Sequence, residues 1–183
     1  DISSSDLSFI PELIYNPFLI GPGDAWRFLR GSEGMPTDWQ SNDFEDAAWE
    51  LGPAGFGYGG GDDATVLEDM LGNYVAVLFR KTFDLNAPED LLLGMIHDDG
   101  VVVHVNGSEI GRVNMPDGPI DENTLASPGV ETALTTMVIP SSALRSGTNV
   151  LAVSVHNVII KSDDLSFHAV VGRQDTPPPP DPC

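Results

Sequence analysis

Leu91-Leu92-Leu93-Gly94-Met95-Ile96-His97-Asp98-Asp99-Gly100-Val101-Val102-Val103-His104-Val105-Asn106-Gly107 consists of two short apolar runs, divided by Asp-Asp-Gly and closed by Asn-Gly. Neither run is long enough for a core helix, and the second is rich in β-branched residues, so both read as strands. Gly100 and Gly107 stand where a tight turn tolerates positive φ. Asn106-Gly107 is the strongest hairpin signal in the chain and leads into a third strand over Glu109 to Val113. The expectation is a meander of three strands.

Working outward, Tyr74 to Leu85 is the longest strand candidate. It places Val75, Val77 and Phe79 on one face and Ala76, Leu78 and Arg80 on the other, the pattern of a central strand. Trp26-Arg27-Phe28-Leu29, Thr132 to Ile139, Asn149 to Asn157 and Leu165 to Val171 extend the set, with one helical turn at Ser141–Leu144. Pro53 to Gly61 is too glycine-rich for a helix and reads as a loop around Phe56 and Tyr58. Trp49, after the polar stretch Asn42 to Asp46, reads as a structural plug. The phrase Asp6-Leu7-Ser8-Phe9 recurs as Asp164-Leu165-Ser166-Phe167, too short a match to argue a repeat. With 19 Gly and 15 Pro in 183 residues, the expectation is one all-β sandwich of about eight to ten antiparallel strands.

Three segments follow from composition. Residues 1–24 are an irregular lead-in, 25–172 the sandwich, and 173–183 a linker whose Pro177-Pro178-Pro179-Pro180 run favours an extended spacer toward another domain. The single cysteine, Cys183, leaves no internal disulfide to expect. No run of 18 apolar residues suggests a membrane span. A net charge of -20 argues against nucleic acid, whose phosphates require Lys and Arg, and suits a saline or extracellular medium.

The phrases Phe79-Arg80-Lys81-Thr82-Phe83, His97 to Gly107 and Gly147-Thr148-Asn149-Val150-Leu151-Ala152-Val153-Ser154-Val155-His156-Asn157 resemble galactose-binding-like jelly-roll domains. Similar phrases occur in sugar-binding accessory domains of glycoside hydrolases and in modules of large bacterial secreted or surface proteins. Gly59-Gly60-Gly61-Asp62-Asp63-Ala64-Thr65 and Ser162-Asp163-Asp164-Leu165-Ser166-Phe167 are similar to the second group in particular. The resemblance spans about residues 25 to 172. It implies a non-catalytic, carbohydrate-binding, secreted or cell-surface module, commonly with a structural calcium, working beside neighbouring domains. A structural or protein-interaction module without sugar binding is the alternative, since the fold does not name the ligand.

Asp62 and Asp63 on the glycine-rich loop, with Glu68 and Asp69 beyond, offer the hard oxygen ligands calcium takes, against the plain alternative of a solvated loop. Asp98 and Asp99 read either as a calcium-assisted sugar contact or as ordinary turn residues. Asn106, Arg112 and Asn114 are candidate saccharide hydrogen-bonders, with Trp39 or Tyr58 as a stacking ring. The four histidines, His97, His104, His156 and His168, fall in strand patterns, and neither a nucleophile elbow nor a zinc-protease helix is present. A glycosidase needs two carboxyls at a set distance in space, which the sequence does not reveal.

Overall fold

The computed structural model describes residues 18–128 and 133–173. Within them lie eleven strands: β1 Ala25–Arg30, β2 Glu50–Pro53, β3 Phe56–Tyr58, β4 Thr65–Val66, β5 Ala76–Leu85, β6 Leu91–His97, β7 Gly100–Val105, β8 Ser108–Val113, β9 Ala133–Ile139, β10 Gly147–His156 and β11 Leu165–Arg173. They form two facing sheets, in the orders β2-β1-β5-β10-β7-β8 and β4-β3-β11-β6-β9. The all-β sandwich is as expected. The assignment of residues 1–17 to the lead-in, most of the linker, Cys183 and the Asp6 to Phe9 phrase fall outside the described residues.

The core lies between the sheets and follows from period-two patterning. Phe28 pairs with Phe79, Phe79 with Val153, and Val153 with Val103, one inward-facing row across four strands. Phe79 stacks on Phe167 at 4.4 Å and meets Phe56 at 4.8 Å, while Trp26 meets Phe167 edge-on at 5.6 Å. Offset and edge-on pairs of this kind add to the burial of large rings. β5 is internal to its sheet, between β1 and β10, in agreement with its two apolar faces.

Two expectations are corrected. β6 does not pair with β7: the Asp98-Asp99-Gly100 connection carries the chain from one sheet to the other, so the meander reduces to the β7–β8 hairpin. That hairpin does turn at Asn106 (φ 52°) and Gly107 (φ 88°). Phe56–Tyr58 is a strand paired with β11, not a loop. Its glycines make this possible, since a Cβ on Gly57 would lie 2.2 Å from Leu165 O and one on Gly55 would strike the His168 ring. Glycine content therefore signals close backbone approach here, not irregularity. Leu19 and Ile20 also join the sandwich, donating to Val171 O, with Val171 N returning a bond to Ile20 O.

Candidate ligand cleft

The outer face of the six-stranded sheet is built from two neighbouring cross-strand rows. Arg27 pairs with Arg80, Arg80 with Ala152, Ala152 with His104, and His104 with Glu109. Beside it, Leu29 pairs with Leu78, Leu78 with Ser154, Ser154 with Val102, and Val102 with Arg112. Glu109 and Arg112 are three residues apart, so a regular strand would send them to opposite faces. The register shift opposite Val103 and His104 inserts one extra residue into β8 and brings both to the outer face.

The half of this face over β1 and β5 is sealed. Trp39, Trp49, Leu29, Leu78, Val150 and Ala152 form a second apolar cluster, with Phe44 packed against it. The Arg80 guanidinium lies inside this lid, only 3 % exposed. It pairs with Asp46 at 2.8 Å, donates to Ser41 O at 3.0 Å and also donates to Trp39 O. One cation thus satisfies several loop carbonyls and fixes the loop on the sheet.

Over β7 and β8 the same face stays open as a cleft of about 170 Å³, lined by Val102, His104 and Ser154 from the sheet and by Trp39, Gln40, Pro119 and Ile120 from the loops. At its rim the Arg112 fork donates to Glu109 Oε1 at 2.7 Å and Oε2 at 2.6 Å. Arg112 Nη1 donates further to Pro116 O and Gly118 O. The bidentate bond holds the Glu109 carboxyl below its ordinary pKa and raises that of Arg112. His104 is pushed down, chiefly by burial, so it is neutral at neutral pH. His156 Nδ1 donates to Thr124 O at 2.8 Å, which leaves Nε2 to accept from Ser154 Oγ at 2.9 Å; burial lowers its pKa to about 4. Two lining residues carry unmet hydrogen-bonding capacity: Trp39 Nε1 and His104 Nδ1 are buried and have no partner. Such atoms cost about 1–3 kcal/mol each when they stay unsatisfied.

The residues singled out in the sequence separate into three places. Trp39 and Arg112 meet at the cleft, although Trp39 is 1 % exposed and belongs to its wall instead of offering an open stacking ring. Tyr58, Asp98, Asp99 and Asn114 gather at the end of the sandwich. There Tyr58 Oη donates to Ser162 O and accepts from Asn157 Nδ2, Asp99 Oδ2 accepts from Val158 N, and Asn114 Nδ2 donates to Asp99 O. Tyr58, Asp98 and Asp99 are buried, so their expected role as exposed sugar contacts is corrected: their polar atoms serve loop packing. Asn106 pins the hairpin, its amide donating to Ala143 O and Asn149 Oδ1 while its Oδ1 accepts from Asn42 Nδ2 and Val150 N. That is the full capacity of the group, with nothing left for a saccharide.

The proposed calcium ligands are likewise divided. Asp69 accepts from Arg30 and from Tyr74 Oη, Glu68 is exposed, and Asp63 sits beside Gly57, where burial and then Asp62 push its pKa up to about 6. Among the described residues no three His, Cys, Asp or Glu side chains converge to hold a metal, so the cleft is described without an ion. His104 and Glu109 escaped sequence reasoning. The outward position of His104 was legible from alternation, whereas the bulge that aligns Glu109 with Arg112 left no sequence mark.

No known family profile and no curated protein matches the chain. Solved structures do resemble it. A glycosyl hydrolase family 2 member from Bacteroides cellulosilyticus aligns with TM-score 0.54 and 15 % identity over 82 % of this chain, which spans 20 % of that protein. A β-glucuronidase from an uncultured Clostridium sp. aligns with TM-score 0.52 and 16 % identity over 83 % of this chain and 28 % of its own. A Bacteroides uniformis β-glucuronidase gives 0.52 and 17 % over 82 % and 17 %. At these identities the likeness establishes the fold: this chain has the β-sandwich architecture of one domain of much larger proteins.

Proposed function

We propose that the chain is a non-catalytic accessory module of a larger secreted or cell-surface protein, and that it holds a saccharide in the His104–Arg112 cleft. The observation that carries this reading is the cleft itself, lined by Gln40, His104 and Ser154 and bounded by a fixed Glu109–Arg112 rim. The sheet and an arginine-locked loop hold it in shape before any ligand arrives, the preorganisation that small-molecule sites require. Glu109 is the one carboxylate among the residues lining this cleft, whereas glycoside hydrolysis uses two. The larger size of the aligned glycoside hydrolases is in keeping with an accessory role.

Titration calorimetry against a polysaccharide panel, with calcium and with chelator in parallel, tests this reading. Saturable binding lost in His104→Ala supports it, and calcium-dependent binding would add the ion expected from the acidic loop. Absence of saturable binding under both conditions overturns it.

A second reading, an interaction module, is favoured by a different surface. Leu71, Leu125, Ile159 and Ile160 are exposed, at 55, 44, 51 and 43 %. They lie together, since Gly72 N donates to Ile160 O, and Leu125 and Ile160 line the same cleft at the end of the sandwich. Clustered apolar exposure of this kind suits contact with a neighbouring domain. Charge reversal at Leu71 and Ile160 that leaves saccharide binding intact but releases a neighbouring domain would support it.

A further inference from the structure

We infer that the cleft selects uncharged saccharides and rejects uronates and sulfated glycans, with Glu109 as the residue that enforces the choice. The inference rests on the cleft being a saccharide site. Recognition of a carboxylate or sulfate needs a cation with free donors, ideally an arginine fork. Arg112 is the one cation lining the cleft, and its fork is already closed on the Glu109 carboxylate. Its Nη1 is engaged by two backbone carbonyls, Pro116 O and Gly118 O. No net positive charge is therefore offered at the rim. His104 adds none, being half-buried and held neutral by desolvation, while the chain as a whole carries -20.

The remaining capacity suits hydroxyl groups, which both donate and accept. The Gln40 amide and the His104 ring line the cleft with uncommitted polarity, and Ser154 contributes a hydroxyl at its base. An incoming carboxylate would have to desolvate beside Glu109 without a counter-charge, and like charges in a partly dehydrated site repel. Removing the Glu109 charge opens the Arg112 fork, with Asp117 the remaining carboxylate acting on it, so a single substitution is expected to close or reverse the preference.

The test uses oligosaccharide pairs that differ only at C6, cello-oligosaccharide against its C6-oxidised uronate form and β-1,4-manno-oligosaccharide against β-1,4-mannuronate oligomers, titrated into the full chain and into Glu109→Gln. Each is measured at low salt and at about 1 M salt, where the Debye length of about 3 Å removes repulsion from the chain's overall charge. The expected result is that one neutral compound binds, its uronate partner binds at least about tenfold more weakly at both salts, and Glu109→Gln closes or inverts that gap. Glu109→Ala serves as the second variant should Glu109→Gln unfold. Equal or tighter uronate binding by the unaltered chain overturns the inference while leaving the cleft reading in place. A gap that persists in folded Glu109 variants removes Glu109 from the explanation, and failure of every neutral and charged compound to bind defeats both readings.

Discussion

The two halves of one sheet face in this molecule are organised by one arginine each, Arg80 and Arg112, and these two arginines do opposite things. Arg80, over β5, is buried and surrounded by loop carbonyls and Asp46, and its half of the face is closed by Trp39, Trp49 and Phe44. Arg112, on the edge strand β8, is held at the rim of an open cleft by a carboxylate that is itself partly exposed. Where the fold supplies every partner, the polar group is structural. Where the arginine sits at an open rim with its partners in water, the face beside it is left as a cleft.

The largest expected effect comes from Arg80→Met, which keeps an apolar stem but abandons the carbonyls of Trp39, Ser41 and Phe44 and the Asp46 carboxylate. Roughly 3–5 kcal/mol of stability should be lost in urea unfolding, against about 1 kcal/mol or less for Arg112→Met, whose partners are open to water. Comparable losses for the two would erase the distinction between the halves. Next, Asn106→Ala removes four side-chain hydrogen bonds at a positive-φ position and should cost about 2–3 kcal/mol without altering the cleft's ligand preference. His104→Ala should weaken saccharide affinity about tenfold or more while shifting stability by no more than about 1 kcal/mol, which separates a binding role from a packing one.

The smallest effect concerns Asp63, far from both halves. Its folded pKa, about 6, lies above the ordinary carboxylate value, so its contribution to stability is fully present at low pH and is lost as pH rises through 6. Asp63→Asn should therefore melt higher than the parent at pH 7, and the difference should vanish as pH falls below about 4. A constant difference across that range would show that Asp63 is not desolvated.

The sandwich was legible because its signals are local. Alternation in β5 and β10 and the Asn106-Gly107 turn fix strand identity, and inward Val77 and Phe79 fall where period two puts them. The sheet to which a strand belongs is not local, and so Asp98-Asp99-Gly100 read as a hairpin although it bridges two sheets. The candidate site was legible only in part. Trp39 and Arg112 lie 73 positions apart in the sequence and meet only through sheet order. Glu109 joins Arg112 only because a bulge breaks the alternation that sequence reading relies on. Asn106, Tyr58 and Asp99 were drawn into the site by residue type, and only their saturated hydrogen bonds reveal the structural role.

The central claim is that the open half of the outer face, and not the acidic end of the sandwich, receives the ligand. Backbone amide shifts of the isotope-labelled chain, followed while a neutral oligosaccharide identified by calorimetry is added, test it most directly. Saturable changes centred on Gln40, His104, Glu109 and Arg112, with Asp98, Asp99 and Asn114 unmoved, are the predicted result. Changes centred on Asp98, Asp99 and Asn114, with the His104 cleft silent, would contradict the account.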